Sequence, residues 1–262
     1  MSDTQWTLVT GASSGIGMEI ARIAASKGRD VILSARSRNK LESLAEELRA
    51  AHGVEVVVAV ADLSEPDGPD RLWEEASAGR EIDFLVNNAG LGHYGPFEQG
   101  SGWSRERTII DVNITALTRL MKLALPGMVA RGTGRVLNVA SMAGFAPGPG
   151  MAVYNATKAY VVSLSRATNA ELSDSYVSVT ALCPGATQTD FFNAADMTDA
   201  ALIKGRRLPS AASVAELGYR AAIERKPVAI PGIDNRLFGI FAKHMPMAAT
   251  VGVMKKVLSR RG

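Results

Sequence analysis

The chain of 262 residues holds one cysteine, so it makes no internal disulfide and no multi-cysteine zinc site. No metal is expected, and a reducing compartment fits. No uninterrupted apolar run of about 18 residues occurs, which argues against a spanning helix. The opening residues, Met1 to Trp6, lack a basic segment followed by an apolar one, so no leader is expected and the location is read as cytoplasmic. Charge is nearly balanced: 29 basic and 26 acidic residues leave +3, too little for a nucleic-acid footprint. Internal repeats and low-complexity linkers are lacking too.

What is present is an ordinary globular composition, 47% hydrophobic and 21% charged. At about 150 residues per domain the length suggests one domain with a modest extension. The basicity sits at one end. From Gly232 to Gly262, six basic residues (Arg236, Lys243, Lys255, Lys256, Arg260, Arg261) accompany Asp234 alone, so that segment carries +5 and the rest −2.

Short β-branched runs alternate with amphipathic segments. Strands are predicted at Trp6–Thr10, Asp30–Ala35, Val54–Val60, Phe84–Asn87, Arg135–Ala140, Ser178–Pro184 and Val228–Ile230. Helices are predicted at Gly15–Lys27, Ser37–His52, Arg105–Arg131 and Tyr154–Leu172. In Ser37–His52, Leu41, Leu44, Ala45 and Leu48 recur at i, i+3, i+4 and i+7, as one buried face requires. The strands carry few charges and little alternation, the pattern of a parallel sheet covered on both faces. The expected fold is α/β, a doubly wound parallel sheet of about seven strands with helices on both sides.

The first strand runs into Thr10-Gly11-Ala12-Ser13-Ser14-Gly15-Ile16-Gly17, where a helix opens. Glycines let the backbone approach a ligand closely, and free N–H groups at a helix start suit a pyrophosphate. The second strand ends in Ala35-Arg36-Ser37-Arg38, without a carboxylate for a ribose 2′-hydroxyl. Arg36 and Arg38 suit a 2′-phosphate instead, so NADP(H) is the expected cofactor. Tyr154 and Lys158 stand four apart on one helix face. A neighbouring ammonium favours the phenolate and lowers a tyrosine's pKa, bringing proton transfer into range.

These residues, with Asp62-Leu63, Asn87-Asn88-Ala89-Gly90, Asn113, Ser141 and Pro184-Gly185, resemble the compact, single-domain branch of the short-chain dehydrogenases/reductases. The resemblance runs from about Trp6 to about Gly232. It includes a branch with Tyr154–Tyr160 and Leu182–Gly185 whose members often lack an assigned substrate. It implies a Rossmann-like fold, with residues 1–232 as one catalytic domain and 233–262 as a basic amphipathic extension. Tyr154 would be the general acid/base at the substrate oxygen and Ser141 would position that oxygen. Lys158 would depress the tyrosine pKa and hold the nicotinamide ribose, and Asn113 would anchor a water in a proton relay. The resemblance places Gly11, Ser13, Ser14, Gly15, Ile16, Gly17, Asp62, Leu63, Asn88, Ala89, Gly90, Pro184 and Gly185 around the cofactor. Thr187 would meet the carboxamide, and Ala186 stands where the family often has a β-branched residue.

Loops at the carboxyl edge of the sheet offer His93, Tyr94, Phe97, Met142, Phe145, Met151, Phe191, Phe192 and Met197 to a substrate. Their apolar character suggests a hydrophobic carbonyl compound or alcohol. In the tail, Leu237, Phe238, Phe241 and Met245 form one apolar run, which Pro246 ends, and Met247, Val251, Met254 and Leu258 form another. Packing on its own or a partner subunit is the expected use of the tail, with peripheral membrane contact as the alternative. A homodimer or homotetramer is implied by the family pattern. The rival reading, a catalytically silent NADP(H)-sensing regulator, fits less well because Tyr154 and Lys158 are both retained.

Overall fold

The structure is a computed structural model and describes residues 5–98, 102–197 and 207–258. Its strands are β1 (Trp6–Thr10), β2 (Asp30–Ala35), β3 (Val56–Val60), β4 (Ile82–Asn87), β5 (Gly134–Val139), β6 (Val177–Leu182) and β7 (Val228–Ala229). Every pairing among them is parallel, in the order β3-β2-β1-β4-β5-β6-β7. The side-chain period of two divides the strands between two cores. Leu8, Ile32, Leu85, Val136 and Val179 feed one. Val9, Val31, Leu33, Phe84, Val86 and Leu137 feed the other.

The helices α1 (Gly15–Ser26), α2 (Arg38–His52) and α8 (Ala211–Ile223) cover the second core through Ile20, Leu41, Leu44, Leu48, Val214 and Tyr219. The buried face of α2 is the predicted one: Leu41, Leu44, Ala45 and Leu48. On the opposite face lie α3 (Gly68–Ser77), α5 (Leu117–Arg131) and α6 (Ala152–Glu171), which contribute Leu72, Leu120, Met121, Met128 and Val161. Neither α3 nor α8 is among the helices marked in the sequence.

The helix predicted from Arg105 to Arg131 is not continuous. It is divided into α4 (Trp103–Ile110), a π-helical segment (Asp111–Ala116) and α5. Such an insertion shifts the helix face locally and often marks functional positions. Here it buries Val112, Asn113 and Ala116. The strand order reverses between β1 and β4, so a crevice opens at the carboxyl ends of these strands. Beyond a four-residue helix α7 (Phe191–Ala194), the final pair α9 (Ile233–His244) and α10 (Met247–Leu258) lies on that same edge. Met254 and Leu258 of α10 are buried there against Met151 and Tyr154. Among the described residues no helix is long and apolar enough to cross a membrane.

Candidate active site

The glycine-rich turn after β1 and the Asn-Asn-Ala-Gly turn after β4 form one unit. Asn88 Nδ2 donates to the carbonyls of Thr10 (3.0 Å) and Gly11 (3.1 Å). In return Thr10 Oγ1 accepts from the amides of Asn88 (3.0 Å) and Ala89 (3.1 Å). Gly11 has φ +65°, and Gly17 leaves no room: a Cβ there would stand 2.3 Å from Asn88 Nδ2 and 2.5 Å from the Gly11 carbonyl oxygen. Gly17 therefore closes the turn and does not line the crevice, whereas Gly11, Ser13, Ser14, Gly15 and Ile16 do. No side chain caps the start of α1, and its first turn holds no carboxylate. Those amide groups remain available to an anion.

At the end of β2, Arg36 lines the crevice but Arg38 does not. As the first residue of α2, Arg38 turns along its own helix and pairs with Glu42 at 3.5 Å. Its expected place beside Arg36 is taken by Lys40, the third residue of α2, which the sequence pattern did not single out. Across the crevice Asp62 accepts from the side chain of Ser64 at 2.7 Å and from its amide at 2.9 Å. These bonds, with a smaller contribution from Arg36, hold its carboxyl below the usual range. Leu63, Asn88, Ala89 and Gly90 complete this part of the wall.

Ser141 follows β5, and its Oγ accepts from the Ala143 amide at 3.1 Å. Tyr154 and Lys158 stand one turn apart on α6, both buried. Lys158 Nζ donates to the Val139 carbonyl at 2.8 Å and lies 5.8 Å from the centre of the Tyr154 ring. The expected lowering of the tyrosine pKa is outweighed. Burial pushes Tyr154 up to about 12, against a downward pull from its hydrogen bond with Ser141. Burial likewise pushes Lys158 down to about 8. An apolar chamber opposes both charges, and desolvation dominates the distant ammonium.

Asn113 lies behind the crevice, not in its wall. Its Oδ1 accepts from the Leu91 amide at 2.9 Å, and its Nδ2 donates to the Leu91 carbonyl and to Thr157 Oγ1, both at 3.0 Å. A Cβ added to Gly90 would stand 3.3 Å from Lys158 Nζ and 3.4 Å from Asn113 Oδ1. The π-helical segment thus brings Asn113 beside Lys158.

One cavity of about 890 Å³ runs from Arg36 and Asp62 past Tyr154 to α10. Pro184, Gly185, Ala186 and Thr187 line it, although the Thr187 hydroxyl already donates to the Gly185 carbonyl at 3.0 Å. Met142, Met151, Phe191, Phe192 and Met197 line its apolar end as expected. Four of the proposed substrate residues do not. His93 points into a small recess with Phe97, Glu106 and Ile109. Tyr94 packs outside the wall against the cluster around Tyr154, and Phe145 packs on the main core. Phe97 is exposed. The places left by these residues are filled from the tail by Phe238, Val253, Met254 and Leu258. Asn235 of α9 also presses on Gly185, where a Cβ would stand 2.7 Å from its Nδ2. Only the apolar stripes of the tail signalled this, and they did not say which surface they cover. Cys183 is buried, its thiol pushed up to about 12, and it takes no part in the wall. Among the described residues no cluster of His, Cys, Asp or Glu suits a metal ion.

The family model for short chain dehydrogenases matches residues 5–200. The chain is 38% identical over 183 residues to a very-long-chain 3-oxoacyl-CoA reductase of Anas platyrhynchos, covering 68% of this chain and 58% of that protein. It thus spans under two thirds of the length of that relative. A solved short-chain dehydrogenase from Sphingobium yanoikuyae in complex with NADPH superposes with a TM-score of 0.82 at 33% identity, covering 98% of each chain. A bulky-bulky ketone specific alcohol dehydrogenase from Comamonas testosteroni superposes with a TM-score of 0.78 at 28% identity, over 94% of this chain and 97% of that one.

Proposed function

The chain belongs to the short-chain dehydrogenase family, and from that premise we propose that it is an NADPH-dependent reductase of hydrophobic ketones. The observation that carries the reading is the continuity of one cavity, cationic at Arg36 and Lys40 and apolar around a neutral Tyr154. The free amides at the start of α1 suit a pyrophosphate, and Arg36 with Lys40 suits a 2′-phosphate. Asp62, Leu63 and the Asn88–Gly90 turn would flank the adenosine. Pro184, Gly185 and Thr187 would flank the nicotinamide, with Lys158 at its ribose. When bound, NADPH supplies the hydride.

The protein's share is to hold the carbonyl and deliver a proton. Ser141 and Tyr154 hydroxyls converge at the apolar end, where both can donate to one carbonyl oxygen. With a pKa near 12 the phenol is protonated at neutral pH, which suits proton donation to a developing alkoxide. Lys158, cationic below about 8, stabilises the charge left on the phenolate after transfer. Asn113 fixes the Leu91 backbone and Thr157 beside it, and a relay of water through that point would return the proton.

The relatives named for acyl-CoA reduction and for ketones bulky on both sides support a substrate of that apolar type. We read residues 1–232 as the catalytic unit, 233–262 as its extension, the location as cytoplasmic, and the assembly as a homodimer or homotetramer. Exposed Val129 on α5 and Tyr160 on α6 suit such a contact. The test is turnover of NADPH and NADH on a graded series of ketones and 3-oxoacyl thioesters. Turnover with NADPH that improves with apolar bulk supports the reading. Tight NADPH binding with no turnover on any member would favour the silent sensor.

A further inference from the structure

The helix α9 has two faces of different use. Phe238 and Asn235 line the reaction cavity, and Gly239 packs at Ile230 and Met142. The opposite arc is apolar and open: Ile233, Leu237, Ile240 and Phe241 are each 58–74% exposed. At about 100° per residue these four positions fall within roughly 100° of arc. They make up four of the eleven large apolar side chains exposed among the described residues, and the others are scattered. Val253 of α10 is exposed and also lines the cavity, so the mouth of the chamber lies on this same pair of helices.

We propose that the outer face of α9 docks on an anionic lipid bilayer and sets the mouth of the chamber against it. Charge selects this occupant. The segment from Gly232 onward carries +5 while the rest of the chain carries −2, so an anionic surface attracts this end and repels the body. Arg236 and Lys255 are exposed on the two helices; Asp234, the one acidic side chain of the segment, lines the cavity and is itself exposed at the edge of the arc. A second copy placed on the same face by a two-fold axis would bring two net-basic α9–α10 pairs together, an arrangement that like charges oppose. The helix is 12 residues long, too short to span and suited to lying in the interface. Docking stands without the reductase reading. Direct passage of an apolar ketone from the bilayer into the chamber rests on it.

The test is flotation of the full chain with vesicles of phosphatidylcholine alone and of phosphatidylcholine with phosphatidylglycerol. The triple variant Leu237→Ser, Ile240→Ser, Phe241→Ser serves as comparison, because none of these residues touches the cavity or the core. The wild type is expected to bind the anionic vesicles, more weakly as salt rises. The variant should bind about tenfold or more weakly while keeping its melting temperature and NADPH affinity. Absence of wild-type binding at millimolar anionic lipid, or equal binding by the variant, overturns the proposal. So does a lipid-free wild-type oligomer that the variant splits, since the face would then be a contact between copies. Failure of the reductase reading shows separately, as vesicle binding without turnover.

Discussion

Lys158 is a cation in a place that resists cations. Its pKa falls from the ordinary 10.5 to about 8 because it is buried. As pH drops, the unfolded chain takes up this proton first, so stability is lost from pH 10.5 down to about 8 and stays low below that. Lys158→Met is therefore expected to raise stability at pH 7 by on the order of 2 kcal/mol while abolishing turnover. The gain should shrink as pH rises towards 10.5, which paired thermal melts would show. A second residue-scale outcome concerns Arg36. Arg36→Asp should weaken NADPH binding roughly tenfold to hundredfold and spare NADH, as read by fluorescence titration. Equal loss for both cofactors would remove Arg36 from the phosphate site. Gly11, Asn88, Ser141 and Tyr154 line the crevice; the first three sit on turns at strand ends and Tyr154 near the start of α6. Arg38 and Phe145 were misplaced because a one-dimensional pattern does not say which way a side chain at a helix start or a short turn points.

Elements show the same division. Strands β1 and β2 have their predicted bounds, since unbroken β-branched runs in a parallel sheet end where burial ends. The π-helical segment was not legible, and the partners that Asn113 meets there, Leu91 and Thr157, lie 22 and 44 residues away along the chain. Asn113→Ala leaves the Leu91 amide and carbonyl without their side-chain partner and removes one of the two bonds of the Thr157 hydroxyl, which still donates to the Tyr154 carbonyl. We expect a loss of about 2–4 kcal/mol in denaturant unfolding, together with slower turnover. Gly17→Ala tests the junction of α1 with the turn after β4. With no space for a methyl beside Asn88, it should cost about 3 kcal/mol and weaken cofactor binding. A neutral result there would mean that the two turns move independently.

At the scale of the whole molecule, sequence showed a basic tail appended to a dinucleotide-binding sheet. The structure uses that tail as a wall of the chamber, through Phe238, Met254 and Leu258. Its stripes were visible, but their partner was not, because the contact joins the end of the chain to loops after β4, β5 and β6. The account as a whole turns on one buried phenol held in its acid form. The measurement that tests it most directly is Tyr154→Phe, with NADPH affinity by titration and turnover on the best ketone of the graded series. We expect affinity within about twofold of wild type and a kcat lower by at least about a hundredfold. Turnover at the wild-type rate would contradict the account, since proton delivery would then come from another group.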